Sequence, residues 1–217
     1  MIKYKAVIFD LDGTLLDSID DLADSMNAVL EDAGYPAHDI QSYKYFVGDG
    51  MEKLVFRSLP EEYRDTETVK KYAGKMKQEY EKRWNNKTRP YQGIPELLDA
   101  LSSRDVHIAV LSNKPDNFTK LMIKELLPNW EFRAVYGDRN YIPRKPDPAG
   151  AIEIARTMGL QSREILYLGD TGTDMQTACS AGMYAVGALW GFRGKDELLA
   201  NGAKALIEKP LDLLNLL

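Results

Sequence analysis

The chain has 217 residues, 44% of them hydrophobic, which is enough to bury a packed core and too apolar for a disordered segment. Its 33 acidic and 28 basic residues give a net charge of −5, with Asp and Glu interleaved wherever Lys and Arg gather, so a surface built to track nucleic acid is excluded. No apolar run reaches the ~18 residues of a membrane span, the N-terminal run stops at Asp10 before a signal-peptide core could form, and the single cysteine, Cys179, allows neither an internal disulfide nor a thiolate metal cage. The expectation is a cytoplasmic protein in which any metal is held by oxygen.

In chain order, residues 6–9 (Ala-Val-Ile-Phe) form a short apolar run that ends abruptly in Asp10-Leu11-Asp12-Gly13-Thr14, the pattern of a buried parallel strand delivering carboxylates at its C-terminal end. Residues 17–89 hold no convincing strand. One helical stripe there carries Ile19, Leu22, Ala23, Met26, Val29, Leu30 and Ala33 and stops at Gly34; another carries Val69, Tyr72, Ala73, Met76, Tyr80 and Trp84. With 12 basic and 15 acidic residues, this stretch is no cationic clamp. The chain then returns through Pro90-Tyr91-Gln92-Gly93. Strand-like runs at 107–111, 134–136, 165–168 and 184–189 alternate with helical patterns at 95–101, 115–127, 148–158 and 173–181. The expectation is an α/β doubly wound, mostly parallel sheet, with residues 1–16 and 90–217 as catalytic core and 17–89 as an inserted all-helical cap.

The chemistry-bearing residues fall at the ends of those strands. Asp10 and Asp12 flank one turn, so one can act as nucleophile or metal ligand while the other serves as acid and then base; the bland alternative is an Asp-Gly turn. Asp170 and Asp174 in Gly-Asp-Thr-Gly-Thr-Asp follow a second strand, where Asp174 could instead serve a helix capped at Thr173. Four carboxylates at one sheet edge repel one another unless a cation joins them, which predicts a divalent metal and an anionic substrate. Ser112-Asn113 offers hydroxyl, amide and backbone donors for a phosphate, and Lys145, stiffened by Pro146, can stand between a carboxylate and that phosphate. His38, His107 and the three tryptophans are expected to be structural, although Trp190-Gly191-Phe192-Arg193 follows a strand and could line the site. Cys179 is expected in the core.

The ordered set Asp10-Leu11-Asp12-Gly13-Thr14, Ser112-Asn113, Lys145-Pro146 and Gly169-Asp170 with Asp174 resembles the four signature motifs of the haloacid dehalogenase superfamily, with a helical insert after the first motif like that family's smaller cap. Asp12, two residues after the nucleophile position, is similar to the phosphatases and phosphomutases of the family and disfavours carbon–halogen cleavage. The resemblance implies Asp10 as nucleophile, Asp12 as acid and base, and Lys145 as the cation beside them. It also implies Mg2+ held by Asp10, the carbonyl of Asp12 and Asp170, with Asp174 as ligand or just behind. Thr14, Ser112 and Asn113 become candidates for binding the phosphate.

Phe46-Val47-Gly48-Asp49-Gly50 before a helical segment looks like the helix start of phosphoglycolate phosphatases, which makes Gly48 and Gly50, with Lys53 or Arg57 beyond, candidates for substrate recognition. The expected function is a Mg2+-dependent phosphomonoester hydrolase of a small phosphorylated metabolite, with 2-phosphoglycolate first. A sugar-phosphate phosphatase or phosphomutase is one alternative, and a phosphoacceptor signalling module is the alternative of another class. Monomer and homodimer are both open.

Overall fold

The computed structural model describes residues 4–217. Its first strand, β1 (Ala6–Phe9), is buried at every position, as a central parallel strand covered on both faces must be. The other strands of its six-stranded sheet are β2 (His107–Pro115), β3 (Phe132–Asp138), β4 (Ile165–Gly169), β5 (Tyr184–Ala188) and β6 (Ala205–Ile207), while Leu16–Asp17 and Arg89–Pro90 form a separate two-stranded pair. They pair in parallel in the order β3-β2-β1-β4-β5-β6. The chain builds outward from β1 on one side and then crosses back to lay β4 on the other, so the switch in direction falls between β1 and β4. An open α/β sheet leaves its ligand crevice at the carboxyl ends of the strands at that switch. Asp10 follows β1 and Asp170 follows β4, so both carboxylates arise there. Asp10 is still tied to the ladder, its N–H donating to the Leu168 carbonyl at 2.9 Å.

Helices α5 (Ile94–Ser103), α6 (Asp116–Leu126), α7 (Ala149–Thr157), α8 (Gly172–Ser180) and α9 (Lys195–Ala200) alternate with these strands. Ile8, Ala109, Leu111, Ala151, Ile154, Tyr167, Met175 and Leu198 belong to one buried cluster built from strands and α7, α8 and α9. Each fully buried Ile or Leu there contributes about 1.5–3 kcal/mol, which holds the strand ends in place.

Some boundaries differ from the sequence pattern. The second strand does not stop at Leu111: it runs to Pro115, and α6 begins only at Asp116. Polar Ser112, Asn113 and Lys114 interrupt the apolar signal, and between Leu111 and Pro115 the β2–β3 register shifts, with Leu111 facing Tyr136 and Pro115 facing Asp138. A bulge of this kind re-aims side chains at a strand end. β6, three residues long and only partly buried, was not expected. Cys179 is exposed on α8 rather than in the core, its thiol donating to the Gly202 carbonyl at 3.4 Å.

Two compact units emerge from the packing, residues 1–16 with 90–217 and residues 17–89. The second is all-helical in its regular elements between the two crossings: α1 (Ile19–Asp32), α2 (Ile40–Phe46), α3 (Met51–Ser58) and α4 (Thr66–Arg83). α1 packs on α4 through the predicted stripes, with Leu22, Met26, Val29, Leu30, Val69, Tyr72, Met76 and Tyr80 buried. Asp21 is fully buried and accepts the N–H groups of Lys87 and Thr88 and the Thr88 hydroxyl, at 2.7–3.1 Å, so it pins the start of the insert to its end. His38 is structural, its Nε2 within 2.8 Å of the Ser58 carbonyl oxygen and its ring edge-on to Phe46. Among the described residues no helix is long and apolar enough to cross a membrane.

Candidate active site

At the switch between β1 and β4, Asp10, Asp170 and Asp174 are all buried and offer carboxylate oxygens within 4.8 Å of one another. Lys145 reaches into the cluster with its ammonium 2.7 Å from Asp10 and 2.7 Å from Asp174. Asp170 accepts the Thr14 hydroxyl at 3.0 Å and the Phe192 N–H at 2.8 Å. Asp174 carries more donors: Lys145 and the Tyr167 hydroxyl on one oxygen, the Thr171 N–H and hydroxyl on the other. It also closes a capping box with Thr171, so the cap of α8 is Thr171, not Thr173.

Lys145 contacts two of the three buried carboxylates, and when all three are ionised its ammonium leaves an excess negative charge of two. The donor set is all oxygen, and a hard divalent cation fits both the charge and the ligand type. Asp10 and Asp170 have the fewer hydrogen-bond donors and could ligate such an ion directly. Asp174, engaged on both oxygens, is suited to stand behind them and to hold Lys145.

Burial, and then the negative charge of Asp174, pushes the Asp10 carboxyl well above the usual carboxylate range, against the pull of Lys145. The same two causes push Asp170 up to about 7, opposed by its hydrogen bonds from Phe192 and Thr14. Lys145 moves the other way for an amine in a buried site: burial would lower it, but Asp10 and Asp174 outweigh burial and hold it charged. The metal-free cluster therefore retains protons that an unfolded chain would release. With its folded value raised, Asp170 stabilises the metal-free fold most below the ordinary carboxyl range, and that contribution is lost as pH rises through about 7. Thermal unfolding in EDTA should accordingly give a lower Tm at about pH 8 than at about pH 5.5, and a saturating divalent cation should raise Tm more at the higher pH. Equal metal-induced shifts at both would contradict this charge assignment.

The remaining sequence candidates take varied positions. Asn113 uses its carboxamide on the Lys145 main chain, donating to the carbonyl at 3.1 Å and accepting the N–H at 2.9 Å, so it positions the lysine. Ser112 is buried, and its hydroxyl accepts the Lys114 N–H at 3.2 Å. Thr14 is buried with its hydroxyl on Asp170. Asp12 is paired with Lys114, a contact the sequence reading missed.

The loop after β5 also supplies more than a rim. Trp190 donates from Nε1 to the Thr14 carbonyl at 3.0 Å, and Gly191 lies so close to Asp170 that an added Cβ would come within 2.3 Å of the Asp170 Cβ. Gly191→Ala should displace Asp170 and reduce the metal-induced rise in Tm to near zero. At about 100 Kd of metal the wild type should gain ~2.7 kcal/mol. An undiminished rise in Gly191→Ala would separate this loop from the candidate metal site at Asp170.

The family model described as haloacid dehalogenase-like hydrolase matches residues 7–188, most of the chain. The chain belongs to the haloacid dehalogenase-like hydrolases. Curated relatives include a phosphoglycolate phosphatase of Xylella fastidiosa, 30% identical over 95% of this chain and 90% of its own length. A phosphoglycolate phosphatase of Aliivibrio fischeri is 28% identical over 87% and 85%. A crystal structure from Lactobacillus delbrueckii subsp. bulgaricus, provisionally named a phosphoglycolate phosphatase, superimposes with a TM-score of 0.92 at 30% identity, covering 99% of each chain.

In this haloacid dehalogenase-like hydrolase, the insert candidates Gly48 and Gly50 lie in the loop between α2 and α3, with Gly50 (φ 90°) as the cap of α3. Arg57 is drawn back onto that loop, paired with Asp49 and donating to the carbonyls of Tyr45 (3.4 Å) and Phe46 (3.0 Å). It braces the loop, and Lys53 is the exposed cation of α3.

Proposed function

We propose that the chain is a Mg2+-dependent phosphomonoesterase that works in the cytoplasm through an aspartyl-phosphate on Asp10, with 2-phosphoglycolate as its substrate. The observation that carries the chemistry is the contact of Lys145 with both Asp10 and Asp174 beside Asp170, a buried nucleophile set among groups that bind cation and anion together. The substrate rests on the relatives named phosphoglycolate phosphatase, and the compartment on a lone, exposed thiol suited to reducing conditions.

Asp10 attacks phosphorus with one carboxylate oxygen, forming an acyl phosphate as the bond to the glycolate oxygen breaks. Asp12 gives that oxygen its proton. The Asp12 carboxylate then takes a proton from water, whose oxygen displaces Asp10 from phosphorus and frees inorganic phosphate. Lys145 holds Asp10 in line and balances the phosphoryl charge, and the Ser112 hydroxyl donates its proton to a phosphate oxygen. Mg2+ held by Asp10, Asp170 and the Asp12 carbonyl would polarise the phosphoryl group and offset the charge that otherwise repels it from the carboxylates.

In this proposal residues 17–89 act as the cap, and the α3 N-terminus with Lys53 recognises the substrate carboxylate. Gly50 has a backbone conformation that a β-branched residue resists. Gly50→Val should raise KM for phosphoglycolate about tenfold, roughly 1.4 kcal/mol, and leave an aryl phosphate without a carboxylate almost unaffected. Phosphate release measured over a panel of metabolites with Mg2+ and with EDTA tests the whole reading. Fastest turnover on 2-phosphoglycolate supports it, fastest turnover on a sugar phosphate replaces the substrate, and a single turnover without continued release would mark a phosphoacceptor.

A further inference from the structure

We propose that Lys114 is the positioning residue for Asp12, an inference that rests on the acid–base reading of Asp12 given above. Its ammonium lies 3.1 and 3.0 Å from the two Asp12 carboxylate oxygens, with the two side chains 5% and 11% exposed. Holding both oxygens at once fixes the plane of the carboxylate as well as its place, and low exposure keeps water from weakening the pair. Asp12 needs such a hold. It sits on the turn beyond β1, outside the six-stranded ladder and bridged only locally to Leu16, and it must serve two different partners, the departing alcohol oxygen and then a water molecule.

Lys114 is itself firmly built in. It occupies the bulged end of β2, its N–H donates to the Ser112 hydroxyl at 3.2 Å, and its carbonyl accepts the Thr119 hydroxyl at 3.3 Å. Behind it the backbone of Gly137 packs so closely that an added Cβ would lie 2.6 Å from the Lys114 carbonyl oxygen. The two buried lysines of the site thus divide the work: Lys145 serves Asp10 and Asp174, and Lys114 serves Asp12. A general acid–base displaced by about 1 Å loses on the order of a hundredfold in rate, which sets the scale of the effect.

The test uses the full chain with Mg2+, assayed on 2-phosphoglycolate and on p-nitrophenyl phosphate. Lys114→Met should lower kcat by ~30- to 100-fold, change KM by less than about threefold, and leave the Mg2+-induced rise in Tm intact. Lys114→Gln, which keeps length and one donor, should lie between, and it carries the test if the methionine variant fails to fold. In an Asp12→Asn background the same Lys114 substitution should cost less than about threefold in kcat, because a residue that acts through Asp12 has nothing further to lose. A rise in KM at unchanged kcat, or a full loss repeated in the Asp12→Asn background, would overturn the inference. A wild-type protein that releases no phosphate from either compound would instead overturn the phosphatase reading, a failure visible before any variant is made.

Discussion

Asp10→Asn should leave no phosphate release above a few per cent of the wild-type rate, while the protein still folds. The amide is nearly isosteric with the carboxylate but is a far poorer nucleophile toward phosphorus, so the acyl-phosphate route closes. Folding should survive for a reason visible in the site. Burial and the charge of Asp174 push the Asp10 carboxyl upward, so its ionised form is costly before a metal arrives, and a neutral amide relieves that cost. Tm measured in EDTA should therefore be equal to or above that of the wild type. Substantial turnover by Asp10→Asn, shown by mass spectrometry not to have reverted to Asp, would remove the covalent step.

Lys145→Met should cost both function and stability. Its ammonium contacts Asp10 and Asp174 together, both at 2.7 Å, in a site almost closed to water. Removing one partner of a buried ionic set leaves charge uncompensated, at about 3–5 kcal/mol. The loss should be greater above pH 7 in EDTA, where Asp170 has given up its proton, and smaller at acid pH, where Asp170 keeps it. Denaturant unfolding at the two pH values reads this directly, and phosphate release should fall to background at both. A stability loss independent of pH would mean that Lys145 acts by packing alone.

The sheet and its central strands were legible because β1 and β4 are unbroken apolar runs that stop at Asp10 and Asp170, a change of polarity at the point where the chain leaves the core. The insert was legible because the buried faces of α1 and α4 repeat with helical period. Three features had no such signal. Ser112, Asn113 and Lys114 are polar residues inside a strand, so the pattern ended the strand four residues early. Lys114 looks like any solvated lysine, since its partner Asp12 stands 102 positions away and only the meeting of β1 and β2 brings them together. Phe192 serves Asp170 through its backbone N–H, which no side-chain motif encodes. Arg57, one of two candidates for the substrate carboxylate, is engaged by the Asp49 side chain and by the carbonyls of Tyr45 and Phe46, and the two backbone partners are likewise absent from any side-chain pattern.

The claim on which all else depends is that a phosphoryl group passes through Asp10. Wild-type protein should be mixed with 2-phosphoglycolate and Mg2+, quenched in acid during turnover, digested, and the peptide containing Asp10 weighed by mass spectrometry, with Asp10→Asn as control. That peptide should be heavier by one phosphoryl group, with fragmentation placing the addition on Asp10, and the control should carry none. Steady phosphate release with no phosphorylated Asp10 peptide at any quench time, or with the phosphoryl group on another residue, would contradict the account.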